Sequence, residues 1–270
     1  MRIVVCVKHV PNIHSDRAFA DGRVVRGSAD GSLNELDEHP LEEALRILEA
    51  LDDDARAASE IVAVAMGPAE AVDALRRAFQ LGAHTGVHVS DDALAGSDYF
   101  ATARTLAAAV RRLEQDGPVD LVLAGMAALD GLGSVVPALL AAELGLPQLT
   151  NATSLTLADG AATVQREVDG VTEELRAPLP AVVSVTDHIN RPRFPNIKLI
   201  MAARTKPVTT WTLADLGLEP DRVGVAAARA VVRSAEPRPE REPATVVTDD
   251  GTGDTGGRAL ADFIIDRGLI

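Results

Sequence analysis

The chain has 270 residues, of which 47% are hydrophobic and 24% are charged, and this composition is typical of a globular protein. A formal net charge of −14 and an aromatic content of 3% argue against nucleic acid as a partner, since phosphates need cations and bases need stacking surfaces. The single cysteine, Cys6, excludes an internal disulfide and fits a reducing compartment. Because no apolar run reaches membrane-spanning length, we expect a cytoplasmic protein without membrane insertion.

Short apolar runs alternate with helical patterns along the first half of the chain. The pattern predicts strands at residues 3–7, 61–65, 85–89 and 121–124, and helices at residues 37–51, 69–80, 97–113 and 134–144. Apolar runs without alternation are typical of parallel strands that are covered on both faces. The repeated strand, loop and helix therefore predict a doubly wound, mostly parallel α/β sheet of the Rossmann-like type.

The pattern changes after residue 148. Apolar and polar side chains alternate at residues 154–157, 162–168 and 171–175, around two Asp-Gly turns, which predicts an antiparallel hairpin addition at the border of the sheet. A buried strand is predicted at residues 181–185. The irregular segment that follows, residues 187–206, has the length of a functional loop.

The C-terminal part of the chain differs from the rest in composition. A stretch rich in proline, charge and glycine begins at Ser234 and precedes a short apolar helix, predicted at residues 259–270. We therefore expect an α/β domain at residues 1–233, and a linker with an extended C-terminal arm at residues 234–270.

A glycine-bearing loop follows the strand at residues 121–124 and opens directly onto a helix. Gly125 ends the strand, Gly131 and Gly133 permit a tight bend, and Ser134 is predicted to cap the helix. Unpaired N–H groups and the positive end of the helix dipole converge at such a turn and favour an anion. The spacing matches neither the GxGxxG fingerprint nor a Walker loop, so an ordinary turn between strand and helix is the alternative interpretation.

No catalytic constellation stands out from the sequence. The six histidines are scattered, and His39 beside Glu42 and Glu43 is the nearest approach to a metal-ligand spacing. Neither GxSxG nor HExxH occurs. We therefore predict no catalytic residue and no metal site, and the binding loops favour a carrier or binding subunit over a self-contained enzyme.

Several segments together resemble the β subunit of the electron transfer flavoproteins, including the bacterial FixA-type members. These segments are VVCVKHVPN, NELDEHPLEEALRILEA, AVAMGPAEAVDALRRAFQLGAHTGVHVSD and residues 121–148. The most specific is VQREVDGVTEELRAPLPAVVSV, which is similar to the family signature, although Val171 stands where Gly, Asp or Glu is usual. RPRFPNIKLIMAARTKP is similar to the family's partner-recognition loop, with Arg-Thr-Lys in place of a lysine cluster.

The resemblance implies a heterodimer with an electron transfer flavoprotein α subunit, which holds most of the FAD. It also implies electron flow from acyl-CoA and related dehydrogenases to a membrane electron transfer flavoprotein-quinone oxidoreductase. The fold would be the adenine-nucleotide-binding variant of the Rossmann-like type. This chain would bind AMP, or a second FAD as in electron-bifurcating relatives. The residues that would line the nucleotide are Cys6, Asn34, Glu35, Leu36, Asp37, Met66, Gly125, Met126, Ala127, Ala128, Leu129, Asp130, Gly131, Leu132, Gly133, Ser134, Val135 and Val136. Because Ser134 alone keeps a hydroxyl in residues 131–136, we favour AMP over a second FAD.

The resemblance also assigns contacts with other proteins. It implies that Ile197, flanked by Arg193 and Lys198, docks the dehydrogenases, and that the C-terminal arm docks on the α subunit. Two alternatives stay open: a bifurcating subunit with a second FAD, and a stand-alone adenine-nucleotide-binding module of the universal-stress type.

Overall fold

The computed structural model describes residues 1–15, 19–20, 23–25, 31–236, 239 and 244–270, which form two compact units, Met1–Ala235 and Glu236–Ile270. The strands are β1 (Arg2–Val7), β2 (His9–Pro11), β3 (Phe19–Ala20), β4 (Arg23–Val24), β5 (Gly31–Leu33), β6 (Glu60–Met66), β7 (Thr85–Val89), β8 (Leu121–Gly125), β9 (Gln148–Ala158), β10 (Ala161–Val168), β11 (Val171–Pro178), β12 (Ala181–Val185) and β13 (Thr209–Trp211). The α-helices are α1 (Glu38–Glu49), α2 (Asp53–Ala57), α3 (Val72–Gln80), α4 (Tyr99–Glu114), α5 (Val136–Leu144), α6 (Ile197–Ala203), α7 (Leu213–Leu216) and α8 (Asp254–Asp266).

Within the described residues, one sheet contains nine strands in the order β11-β10-β9-β12-β8-β1-β6-β7-β13. Neighbouring strands are parallel from β9 through to β13, whereas β10 and β11 extend the sheet in antiparallel fashion. The predicted doubly wound α/β fold with an antiparallel addition is therefore confirmed.

Helices cover both faces of the parallel strands, which explains why these strands read as uninterrupted apolar runs. Alternate residues of a strand point to opposite faces. Ile3 and Val5 of β1 accordingly join an apolar cluster with α1 and α3, whereas Val4 joins the cluster formed with α4 and α5. Strand β1 is therefore buried from both sides and lies in the middle of the sheet.

One helix was not predicted, and another is displaced along the chain from its predicted position. The segment at residues 187–206, predicted as irregular, contains α6, whose N-cap Asn196 accepts a hydrogen bond from the backbone N–H of Leu199 at 2.9 Å. Helix α8 spans Asp254–Asp266 and not the predicted residues 259–270. It ends shortly before Gly268, which adopts a left-handed φ of 60°. Among the helices of the described residues, none combines the length and apolar composition needed to cross a bilayer.

Candidate functional site

The strand order reverses next to β1. The chain passes from β1 to β6 and β7 on one side and returns to β8 on the other side. In doubly wound sheets, ligands bind in the crevice at the carboxyl ends of the strands where the order reverses. This crevice lies where β1 ends at Val7 and β8 ends at Gly125.

The loop before α1 is fastened to the loop after β8. Asn34 is fully buried, and its side-chain amide donates to the carbonyl of Ala127 at 2.9 Å and accepts from the N–H of Leu129 at 3.0 Å. At Gly125 a Cβ atom would lie 2.6 Å from Asp37 Oδ1 and 2.7 Å from the carbonyl oxygen of Leu36. The two loops therefore touch at a position that only glycine can occupy without displacement.

Three charged groups lie at the base of the crevice. Asp37 is buried and accepts the backbone N–H of Lys8 at 2.8 Å, while Lys8 Nζ lies 2.9 Å from the buried carboxylate of Asp130. Burial raises the pKa of Asp37 to about 7, although hydrogen bonds from Asn34 and Lys8 oppose the shift. Burial and the nearby Asp37 also raise the pKa of the Cys6 thiol to about 12. Cys6 is therefore a protonated thiol that packs in the strand, and it is not a nucleophile.

The glycine loop is compact and rests on α4. The N–H groups of Gly131 and Leu132 both point to the carbonyl of Ala128, at 3.2 and 2.8 Å. Tyr99 lies against Gly133 so closely that a Cβ there would be 2.4 Å from its ring, and the Tyr99 hydroxyl donates to the Gly131 carbonyl at 3.4 Å. Helix α4 therefore supports the loop from below, and Gly133 is needed for this approach.

The predicted cap at Ser134 is wrong. Helix α5 begins at Val136 with Val135 as its N-cap, and Ser134 lies one residue earlier with a left-handed φ of 52°. The side chain of Val135 cannot cap the helix, since valine has no polar atom. The first-turn N–H groups of Val136 and Ala138 remain potential donors to an anion, whereas Pro137 has none.

Most of the residues predicted to line the nucleotide come together at the crevice. Cys6, Asn34, Leu36, Asp37 and residues 125–130 are buried or half-buried there, and Met66 ends the strand on the other side of β1. Glu35, Gly131, Leu132, Ser134 and Val135 are exposed. Sequence reasoning missed Lys8 and Tyr99. Lys8 had a weak signal, a cation directly after a buried strand, whereas nothing in the sequence pointed to Tyr99.

The second predicted site lies around α6. Ile197 is 81% exposed, and Lys198 is exposed beside it. Arg193 instead binds the carboxylates of Glu42 and Glu49 on α1. Sequence reasoning missed Phe194, which is 95% exposed. The only signal in the sequence was its position between Pro192 and Pro195 in a segment without a helix or strand pattern.

Comparison with known proteins gives a consistent picture. The model of the electron transfer flavoprotein domain family matches residues 21–216. The electron transfer flavoprotein subunit beta of Mycobacterium leprae is 42% identical over 270 residues, and that of Mycobacterium tuberculosis (strain H37Rv) is 41% identical; in each case 99% of both chains is covered. The caffeyl-CoA reductase-Etf complex subunit CarD of Acetobacterium woodii is 32% identical over 263 residues, with 97% of both chains covered.

Proposed function

We propose that this chain, which belongs to the electron transfer flavoprotein family, is the β subunit of a heterodimer whose α subunit holds most of the FAD. The full-length similarity to proteins named subunit beta supports this assignment. The subunit itself carries no reacting side chain in this proposal. It shapes the flavoprotein, binds a structural nucleotide and presents a docking surface, and it acts in the cytoplasm.

The nucleotide that we propose for the crevice is AMP. The backbone N–H groups of residues 133–136 and the Ser134 hydroxyl can donate to one phosphate, whereas the N–H groups of Gly131 and Leu132 already donate to Ala128. Leu132, Val135 and Val136 add no polar side chain. Asn34 joins the two sides of the crevice by two hydrogen bonds, which supports a site that does not depend on the ligand for its shape. A pyrophosphate would need further donors, and this favours AMP over a second FAD.

Nucleotide extraction tests this assignment. The purified heterodimer is denatured, and the released cofactors are identified by mass and quantified. We expect one FAD and one AMP per heterodimer. Two FAD would contradict the AMP assignment and support the bifurcating alternative, for which the similarity to the Acetobacterium woodii protein is the relevant observation. A chain that purifies as a monomer with an adenine nucleotide would support the stand-alone module instead.

We further propose that electrons enter from acyl-CoA and related dehydrogenases, which dock on Ile197, and leave toward a membrane quinone oxidoreductase. Ile197 is 81% exposed, and Phe194 and Met201 on either side of it in the chain are 95% and 56% exposed. Exposed apolar side chains that cluster in this way mark protein interaction sites. Lys198 lies beside Ile197 and can supply a polar rim.

Replacement of Ile197 tests the docking role. Ile197→Ala removes an anchor worth about 1–3 kcal/mol, so the apparent KM of an acyl-CoA dehydrogenase for the heterodimer should rise about tenfold while kcat stays near wild type. Flavin reduction by dithionite should be unchanged. Val225→Ala, which truncates another aliphatic side chain that is 60% exposed, is the control. Wild-type kinetics for Ile197→Ala would refute the docking role.

A further inference from the structure

We propose that Arg193 and Arg76 are positioning residues that clamp the two ends of the docking segment, residues 190–206, so that Ile197 is held in place before a partner arrives. The inference rests on the proposed docking role of Ile197. It assigns Arg193 a function different from that of a docking residue, because its guanidinium group is engaged within the chain.

The first clamp fastens the start of the segment to α1. Arg193 donates to Glu42 through Nε at 2.7 Å and Nη2 at 3.0 Å, and to Glu49 through Nη1 at 2.6 Å and Nη2 at 3.0 Å. Asn190, which is buried, donates to the carbonyl of His39 and to Glu43 Oε2, each at 3.0 Å. Paired, fork-like contacts of this kind fix the direction of an arginine as well as its position.

The second clamp fastens the end of the segment to α3. Arg76 Nη1 donates to the carbonyl of Ala203 at 2.9 Å and also to the carbonyl of Lys206. Lys206 Nζ donates to the carbonyl of Ala83 at 2.7 Å and lies 5.0 Å from the centre of the Phe79 ring. Arg76 and Lys206 therefore both donate to backbone carbonyls of this chain, and these hydrogen bonds hold the backbone that follows α6.

The side chains between the clamps have the opposite character. Phe194, Ile197 and Met201 are exposed, and the short helix α6 that carries two of them is capped by Asn196. A segment with both ends fixed does not have to be ordered when the partner binds, so less affinity is lost to entropy. The clamps therefore preorganise the docking surface without touching the partner.

A double-mutant cycle in the heterodimer separates positioning from direct contact. The variants are Arg193→Ala, Ile197→Ala and the double variant, and the assay follows flavin reduction by an acyl-CoA dehydrogenase supplied with its acyl-CoA. We expect Arg193→Ala to raise the apparent KM about fivefold at unchanged kcat, and to add less than about twofold in the Ile197→Ala background. Arg193→Lys should recover part of the loss, since it keeps the charge and loses the fork.

Two outcomes overturn the proposal. If the effects of Arg193→Ala and Ile197→Ala multiply, Arg193 acts independently of Ile197 and does not position it. If Arg193→Ala leaves KM unchanged, the clamp has no role in docking. Glu49→Gln, which removes one carboxylate and leaves Glu42 in place, provides a milder variant should Arg193→Ala fail to fold, and it should raise KM in the same direction.

Hydrogen exchange tests the clamps independently of electron transfer. Amides of residues 190–206 should exchange faster in Arg193→Ala and Arg76→Ala, and at the wild-type rate in the control Arg258→Ala, which breaks an exposed ion pair with Asp254 within α8. Unchanged exchange in both clamp variants overturns the inference. A wild-type heterodimer that no acyl-CoA dehydrogenase reduces would overturn the proposed function, while the exchange measurement would still decide on the clamps.

Discussion

Gly125 ends β8 at the point where the loop of residues 34–37 presses on the sheet. Replacement by alanine would place a Cβ 2.6 Å from Asp37 Oδ1 and 2.7 Å from a backbone oxygen, so the loop has to move. We expect Gly125→Ala to destabilise the protein by about 1–3 kcal/mol and to lower its AMP content. Melting temperature and extracted nucleotide measure the two effects.

Gly257→Ala is the matched control, because nothing lies within 4 Å of a Cβ at this position of α8. Alanine favours helix over glycine by about 1 kcal/mol, so this variant should melt at or slightly above the wild-type temperature. Equal melting temperatures and equal AMP content in the two variants would contradict the close contact at Gly125.

Asp37 gives the crevice a pH dependence. Its folded pKa of about 7 lies above the ordinary value of 3.8, so between these values the folded chain keeps a proton that the unfolded chain releases. The stability contributed by the protonated group is therefore present at low pH and is lost as the pH rises through 7. Each unit of pKa shift corresponds to about 1.4 kcal/mol.

Asp37→Asn keeps an oxygen for the N–H of Lys8 but cannot ionise. Relative to wild type, we expect the variant to gain stability as the pH is raised from about 4.5 to about 8. Melting curves of the two heterodimers across this range measure the change. If the difference between their melting temperatures stays constant with pH, Asp37 does not titrate as the structure indicates.

Among the secondary-structure elements, buried strands were the most predictable from sequence. Strands β7 and β12 have the predicted bounds because a strand covered on both faces needs apolar residues throughout, and its ends follow from polar neighbours. Helix α6 was not predicted, since Pro192 and Pro195 suggested an irregular loop. Strand β13 has only three residues, too few for a period to be recognised.

The candidate site was predictable only in part. The family resemblance, and not the alternation of strands and helices, implied that residues near β1 and β8 line one site, and the observed strand order places the ends of both strands at the reversal. The support of Gly133 by Tyr99 and the ion pair of Lys8 with Asp130 join residues far apart in the sequence. Such contacts depend on the packing of side chains, which periodicity does not encode. For the same reason, nothing in the sequence indicated that Arg193, which was assigned to partner docking, binds Glu42 and Glu49 of α1.

The division of the whole chain into two units leads to a prediction about assembly. Leu260 and Phe263 of α8 and Leu269 after it are 60%, 50% and 64% exposed, and apolar side chains at helical spacing need a surface to cover them. We propose that the α subunit provides this surface. Truncation after Pro239 should leave the melting temperature of the remaining unit near wild type and abolish copurification with tagged α subunit.

A full-length variant with Leu260→Gln and Phe263→Gln provides the control for chain length. It should lose the α subunit in the same way, because these substitutions remove apolar contact while the backbone is retained. Copurification of either variant at the wild-type level would mean that the C-terminal helix is not the arm that holds the α subunit.

The crevice beside β1 lies outside the scaffold that holds the sheet together. In the described part of the chain, residues 126–135 contribute no side chain to either apolar cluster. Substitutions in this loop can therefore accumulate during evolution at little cost to the apolar core, as long as Asn34, Gly125, Asp130 and Gly133 keep their contacts. One ancestral scaffold could in this way have diverged into proteins with different nucleotides, while the sheet changed little.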